Sequence, residues 1–220
     1  MMQGYFLQHH NPRVVFDMFY RTNPFNGGYT IFTGLEELVT ILENFRFSEE
    51  DINYLRSLGK FQESFLEYLA SYRFTGDLYA FDEGTPAFPQ EPLIRVETNM
   101  LDAQLIESVL LNTINFQTLI ATKASRMKLA TKSHGSIMEF GLRRAQGMDG
   151  ALSASRACYI GGADVTSNTL AGKEFGIPVA GTMAHSWIML FSDEYEAFRA
   201  FADIYPDNCI LLIDTYDTLG

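Results

Sequence analysis

The period of hydrophobic and polar positions changes several times along the chain. Val14-Val15-Phe16-Asp17-Met18-Phe19-Tyr20 is dense in β-branched and aromatic residues and predicts a strand. Pro24-Phe25-Asn26-Gly27-Gly28 predicts a turn, and Tyr29-Thr30-Ile31-Phe32 a second, short strand. From Leu35 the period lengthens. Leu35, Leu38, Val39 and Leu42 share one helical face. Ser48, followed by Glu49, Glu50 and Asp51, predicts a capped helix start, with Gly59 as its end. Residues 61–72 predict another amphipathic helix. Between Gly76 and Val96, prolines at 86, 89 and 92 confine the short apolar pieces Leu78–Phe81 and Leu93–Val96 to turns and edge strands.

Leu101 to Ala130 has neither glycine nor proline and predicts one long helix or two abutting ones. Leu105, Val109, Phe116 and Leu119 are its expected core face, interrupted by Asn112, which needs a hydrogen-bond partner if buried. After Gly135 strand and helix alternate. Strands are expected at 136–140, up to Ile160, at 178–182 and, buried, at Cys209–Ile213. Helices are expected around 151–157, around 167–173 closed by Gly176, and from a Ser192 cap through Phe201. About three such units argue for a parallel sheet or an α/β barrel, incomplete against the eight strands of a closed one. The expected organisation is an N-terminal α+β domain with long helices over residues 1–132, then a partial α/β barrel over 133–220.

Composition narrows the classes. Apolar residues make 47% of the 220, and charged residues 20%, a globular balance. Lys plus Arg number 16 against 27 Asp plus Glu, a net charge of −11. That disfavours a broad nucleic-acid or anionic-membrane surface, so phosphate would be held by a local cluster of cations and backbone N–H groups. Two cysteines, Cys158 and Cys209, make no disulfide framework and imply a reducing, cytoplasmic setting. No apolar run reaches membrane-span length, and the first residues lack the pattern of a signal peptide. The end of the chain, an apolar strand running into a polar turn, suggests a piece of a longer protein.

Catalytic groups in α/β folds gather beyond the carboxyl ends of strands. Those places hold Glu139-Phe140-Gly141-Leu142-Arg143-Arg144, Gly161-Gly162-Ala163-Asp164, Gly181-Thr182-Met183-Ala184-His185-Ser186 and Asp214-Thr215-Tyr216-Asp217. Each has a plain alternative. The arginines suit a solvated helix start, His185 a buried structural role, and Asp214 and Asp217 helix caps. His9, His10 and His134 read as surface residues. No histidine spacing supports a zinc site, and no Walker lysine pattern supports a nucleotide P-loop.

The blocks Phe140–Gly147, Ser155–Gly162, Thr166-Ser167-Asn168, Gly181–Trp187 and Leu212–Thr218, in that order and spacing, resemble nicotinate phosphoribosyltransferase. Residues 14–21, 23–28 and Gly84-Thr85-Pro86 are also similar to that family. The resemblance implies the type II phosphoribosyltransferase fold and the union of nicotinate with phosphoribosyl pyrophosphate, giving nicotinate mononucleotide and pyrophosphate, coupled to ATP hydrolysis with Mg²⁺. It assigns Phe140 to stack on nicotinate, Arg143 to grip phosphate, and Gly181 and Thr182 to touch nicotinate. Asp214 would lie near the ribose hydroxyls, and Asp164 would face the same mouth. His185 would be phosphorylated, with Ser186 starting a helix behind it. Family members are homodimers about twice this length. They begin with a T-D-L-Y-type segment, absent here, whose tyrosine stacks on the substrate across the dimer. A carboxylate-based hydrolase on an α/β barrel, using Asp214 and Asp217, or an inactive truncated product, are the competing readings.

Overall fold

A computed structural model describes residues 1–132 and 135–219. His134 lies outside the described residues. The chain opens with α1 (Met2–Leu7), which the hydrophobic pattern does not announce. Its Met2 and Phe6 pack on Phe65 and Tyr68, so an apolar cluster orders a segment too short to be a stable helix alone. Strand β1 (Arg13–Met18) follows, then a 3-10 turn at Pro24–Asn26, and β2 (Thr30–Ile31). Next come α2 (Leu35–Asn44), α3 (Glu49–Ser57) and α4 (Glu63–Ala70), matching the expected helices. At α3 the Ser48 hydroxyl accepts from the Asp51 amide, and the Asp51 carboxylate accepts from the Ser48 amide, a reciprocal cap.

Strands β3 (Asp77–Ala80), β4 (Pro86–Ala87) and β5 (Ile94–Asn99) complete two small antiparallel sheets. Strand β5 lies between β1 and β3, with Met18 opposite Ile94 and Asp77 opposite Glu97. Strand β2 pairs with β4. Against these sheets lies α5 (Met100–Ala130), a single unbroken helix about 46 Å long at 1.5 Å per residue. Its 31 residues form the spine of the molecule.

The buried face of α5 differs from the expected one. Ile106, Leu110 and Ile114 are buried beside Thr113, Gln117, Thr118 and Thr122, whereas Leu105, Val109, Phe116 and Leu119 are only half-buried. Asn112 is exposed and interrupts nothing. The reason is β2. The Ile31 amide donates to Thr122 Oγ1 at 2.9 Å, and Thr118 Oγ1 donates to the Thr33 carbonyl at 3.2 Å. The helix thus faces a strand with polar side chains that satisfy backbone groups, and an apolar-periodicity reading assigns such positions to solvent.

Beyond α5 the fold is α/β, as expected, but its strands are short. Strand β6 (Met138–Glu139) pairs in parallel with β7 (Val165–Thr166), and Val179 makes a further parallel bridge to Thr166. Between them stands α6 (Gly147–Ile160), so Ile160 ends a helix rather than a strand. Helix α7 (Thr169–Phe175) is capped by the Asn168 side chain and closed by left-handed Gly176. Then come α8 (His185–Met189) and α9 (Glu194–Ile204), the latter capped by Asp193 rather than Ser192, whose hydroxyl instead donates to Glu196.

The expected buried strand at Cys209–Ile213 does not form. The segment makes no ladder among the described residues, and Ile213 is 58% exposed. A β-branched run becomes a strand only where a neighbouring strand accepts its hydrogen bonds. Here only Leu212 packs, against the Met183, Ile188 and Ala197 cluster of α8 and α9.

Several contacts join the regions on either side of α5. Helix α6 crosses it so closely that a Cβ at Gly161 would sit 2.3 Å from the Ala121 carbonyl oxygen. Ala121 and Ala157 are fully buried there. On the other flank, the Arg156 guanidinium of α6 forks onto Glu83 at 3.0 and 2.6 Å and also reaches Glu36. The same Glu83 carboxylate accepts the amides of Gly34 and Leu35, so it caps α2 as well. Burial alone would raise the Glu83 carboxyl, but Arg156 and the two amides outweigh it and hold it below the usual range.

Candidate active site

The parallel segments set the geometry of the candidate site. Strands β6 and β7 and the 178–180 segment point the same way, and the chain leaves each of them at one end of the small sheet. Phe140 follows β6 directly. Gly141 then begins the 3-10 turn Leu142–Arg144, which brings Arg143 round to the same side. Ser167 follows β7, its amide donating to the Glu139 carbonyl at 2.9 Å. The loop from Gly181 to Ala184 follows the third segment and runs into α8.

These ends enclose an open cleft of about 630 Å³. Phe140, Arg143, Gly181, Thr182, His185 and Ser186 all line it. Six residues singled out in two separate sequence blocks therefore share one space. Phe140 is 40% exposed and Arg143 is open to solvent, so an aromatic face and a guanidinium are both available to a ligand. Thr182 Oγ1 donates to the Met183 carbonyl at 3.0 Å, which turns the loop back on itself. Met183 and Ile188 bury themselves beneath it and fix its floor. The Trp187 indole N–H donates to the Ala197 carbonyl at 3.0 Å and ties α8 to α9.

His185 opens α8 at the cleft wall. Its Nδ1 lies 3.2 Å from Thr215 Oγ1, and its Nε2 3.9 Å from Asp214 Oδ1. The 209–217 segment, though not a strand, thus delivers Asp214 and Thr215 to the imidazole. Histidine and aspartate are both about half exposed, so the imidazole remains reachable.

Asp164 is not part of this cleft. It precedes β7, at the opposite end of the parallel pair, because the strand begins at Val165 rather than ending at Ile160. Lys128 at the end of α5 binds both its oxygens at 2.8 Å, and the Ile137 amide donates to it at 2.7 Å. The Lys128 ammonium, then the Ile137 amide, hold its carboxyl below the usual range. Asp164 staples the spine helix to the start of β6. The residue in the equivalent place at the cleft end is Ser167, the middle of the Thr166-Ser167-Asn168 block. The available signal was its position directly after the β-branched pair Val165-Thr166. Leu142, Met183, Ala184 and Leu212 also line it, the apolar positions of the quoted blocks.

Cys158 lies on α6, where burial and then Glu139 push its thiol up to about 12, so it is chemically quiet. Among the described residues no group of three or more His, Cys, Asp and Glu forms a metal cage. No helix in the described residues is long and apolar enough to cross a membrane.

Comparison with known proteins agrees with this architecture. The family model described as nicotinate phosphoribosyltransferase (NAPRTase) N-terminal domain matches residues 1–115. A nicotinate phosphoribosyltransferase of Mycobacterium tuberculosis is 45% identical over 219 residues, covering 100% of this chain and 47% of that protein. The Bacillus subtilis nicotinate phosphoribosyltransferase is 48% identical over 210 residues, covering 96% of this chain and 42% of that protein. The crystal structure of human nicotinic acid phosphoribosyltransferase superposes with a TM-score of 0.91 at 32% identity, over 99% of this chain and 54% of that one. A nicotinate-nucleotide pyrophosphorylase from Pyrococcus furiosus superposes at 0.76 with 25% identity, over 98% of this chain and 48% of that one. The chain spans about half the length of the curated relatives it matches. With the family model covering more than half of its residues, the chain belongs to the nicotinate phosphoribosyltransferase family.

Proposed function

We propose that this chain is the N-terminal half of an enzyme that joins nicotinate to phosphoribosyl pyrophosphate, giving nicotinate mononucleotide and pyrophosphate in NAD salvage. One observation carries the reading: Phe140 and Arg143 from one block, Thr182 and His185 from another, line one cleft at the leaving ends of parallel segments. The division at residues 132 and 133 then separates a folded scaffold from the first part of the barrel.

The chemistry follows from the wall. The nicotinate ring nitrogen attacks C1 of the ribose. The C1–oxygen bond breaks, and its electron pair leaves with pyrophosphate. Phe140 offers a flat apolar face to the pyridine ring, and a partner subunit of a homodimer would cover the other face. Thr182 and the Gly181 backbone border the ring, and Ser167 and Ser186 add hydroxyls. Arg143 presents the planar fork that suits phosphate. Such a wall works by holding the two reactants in line.

His185 accepts the γ-phosphoryl group of ATP on an imidazole nitrogen, and ADP leaves; water later takes the phosphoryl group. The exposed ring, with Thr215 on one nitrogen and Asp214 near the other, supports that role. Asp214 would lie near the ribose hydroxyls, and its hard oxygens would suit Mg²⁺, which would neutralise charge on the departing pyrophosphate. A cytoplasmic setting accords with substrates that are soluble metabolites.

The test is an assay of the full-length protein with nicotinate, nicotinamide and quinolinate side by side, with and without ATP. Preferred turnover of nicotinate, stimulated by ATP, is the expected result. Preference for either other pyridine overturns the substrate, and acid-labile label from γ-labelled ATP that persists in His185→Ala overturns the role of His185.

A further inference from the structure

Beneath the cleft lies a carboxylate that touches no space a ligand would occupy. We infer that Glu139 is the positioning residue of the nicotinate pocket. It clamps the turn bearing Phe140 and Arg143 to the β7 end bearing Ser167. The inference rests on the functional reading above for its substrate, and on the following geometry for its substance.

Glu139 is the last residue of β6, half-buried, with its side chain turned inward. One carboxylate oxygen, Oε1, accepts the Gly141 amide two residues on. That bond closes a tight ring through the Phe140 backbone and so sets the direction in which the aromatic side chain leaves the chain. A Cβ at residue 141 would meet the same oxygen at 2.7 Å, so glycine is what permits the closure. The other oxygen, Oε2, accepts from Thr166 Oγ1 at 2.7 Å and from Ser155 Oγ at 3.0 Å. Asn168 completes the hub. Its amide donates to Thr166 Oγ1 at 3.0 Å and its side-chain nitrogen to Ser155 Oγ at 3.2 Å. Meanwhile the Glu139 carbonyl takes the Ser167 amide.

Glu139 is thus the common acceptor of β6, β7 and α6. Three blocks that stand apart in sequence, 140–147, 155–162 and 166–168, meet on its carboxylate. The Gly141 amide can only donate, and the Thr166 and Ser155 hydroxyls already accept from Asn168, so an acceptor-only group fits the centre of the hub. A carboxylate takes all three donors; a carboxamide of the same size gives up at least one of them and leaves Ser155 Oγ to its other acceptor, the Ala151 carbonyl at 3.0 Å. Aspartate is one methylene short of spanning from Gly141 to Ser155.

The test uses the full-length enzyme and two variants. In Glu139→Gln the KM for nicotinate rises about ten-fold, a loss of about 1.4 kcal/mol in binding, while kcat per folded molecule stays close to wild type. A merely structural residue behaves otherwise: it lowers the midpoint and the active fraction, so kcat falls at unchanged KM. Either that pattern or unaltered kinetics overturns the inference. The second measurement is amide hydrogen exchange in Glu139→Ala. The Gly141 amide, bonded to the lost side chain, exchanges faster, while the Ser167 amide, bonded to the backbone carbonyl, keeps its protection. Retained protection at Gly141 overturns the clamp. A wild-type enzyme without nicotinate turnover overturns the functional reading and the substrate named here, whereas amide exchange decides the clamp by itself.

Discussion

The two flanks of α5 are built on different principles. On the sheet side, Phe32, Leu38, Ile94, Ile106 and Ile114 are shut away from water in one continuous apolar cluster. On the cleft side, the parallel strands are two residues long, and polar hubs add to a smaller apolar cluster under the cleft: Glu139 with its hydroxyls, and Arg156 with Glu83 and Glu36. Apolar packing is non-directional and tolerant of partner identity, so it suits a scaffold. Hydrogen-bonded hubs are directional, so they suit loops that must present Phe140, Arg143 and His185 at set angles. A site assembled on loops needs the second kind of order, and a rigid first kind beside it.

That contrast can be broken most forcefully where the two flanks join. Arg156→Ala leaves Glu83 buried without its cation, a loss that typically costs about 3–5 kcal/mol; urea unfolding of the variant against wild type measures it. A destabilisation below about 1 kcal/mol would show that the flanks hold together without this pair. The same pair sets a pH dependence. The Glu83 carboxyl titrates lower in the folded protein than in the unfolded chain. Its contribution is therefore complete above the unfolded value of about 4.3 and is lost as pH falls through the lower folded value. An acid titration of stability should show a larger loss in wild type than in Arg156→Ala, where only the Gly34 and Leu35 amides still favour the ionised carboxylate.

Next in size is a pair of truncations, one on each flank. Ile114→Ala removes a side chain that is 1% exposed and should cost about 2–5 kcal/mol. Ile213→Ala, at a position 58% exposed, should stay within about 0.5 kcal/mol. Equal effects in thermal denaturation would mean that the 209–213 run is packed after all. On the cleft, Arg143→Ala should weaken phosphoribosyl pyrophosphate by about 1.5–3 kcal/mol, the worth of a charge-assisted hydrogen bond. Nicotinate should be less affected; calorimetric titration of both ligands checks this, and equal losses would return Arg143 to a solvated surface role. A further loss of stability is expected for Gly161→Ala. Its new methyl meets the Ala121 carbonyl, and overpacking of this kind costs about 1–3 kcal/mol. An unchanged melting temperature would show that α6 can slide on α5.

Much of this was legible before any coordinates. The helices at 35–44, 49–57 and 63–70 carried their own apolar faces, and Ser48 with Asp51 carried a cap. The cleft residues were legible because each directly follows an apolar segment and because their blocks resemble a known family. Asp164 was misplaced by an error of a few residues in one strand boundary, which moved it from one end of the sheet to the other.

What the sequence by itself determined was therefore local: element type where the apolar period is strong, the caps, and the residue types that can do phosphoryl and pyridine chemistry. These depend on neighbours within a few positions, whose spacing is written in the chain. What only the tertiary structure decided was partnership. Thr118 and Thr122 are core because β2 needs their hydroxyls, and Arg156 is buried because Glu83 and Glu36 meet it from more than seventy residues away. Cys209–Ile213 stays unpaired because no neighbouring segment takes its hydrogen bonds among the described residues. A polar side chain is core or surface according to which donor or acceptor the fold brings to it, and no one-dimensional pattern of hydrophobicity records that.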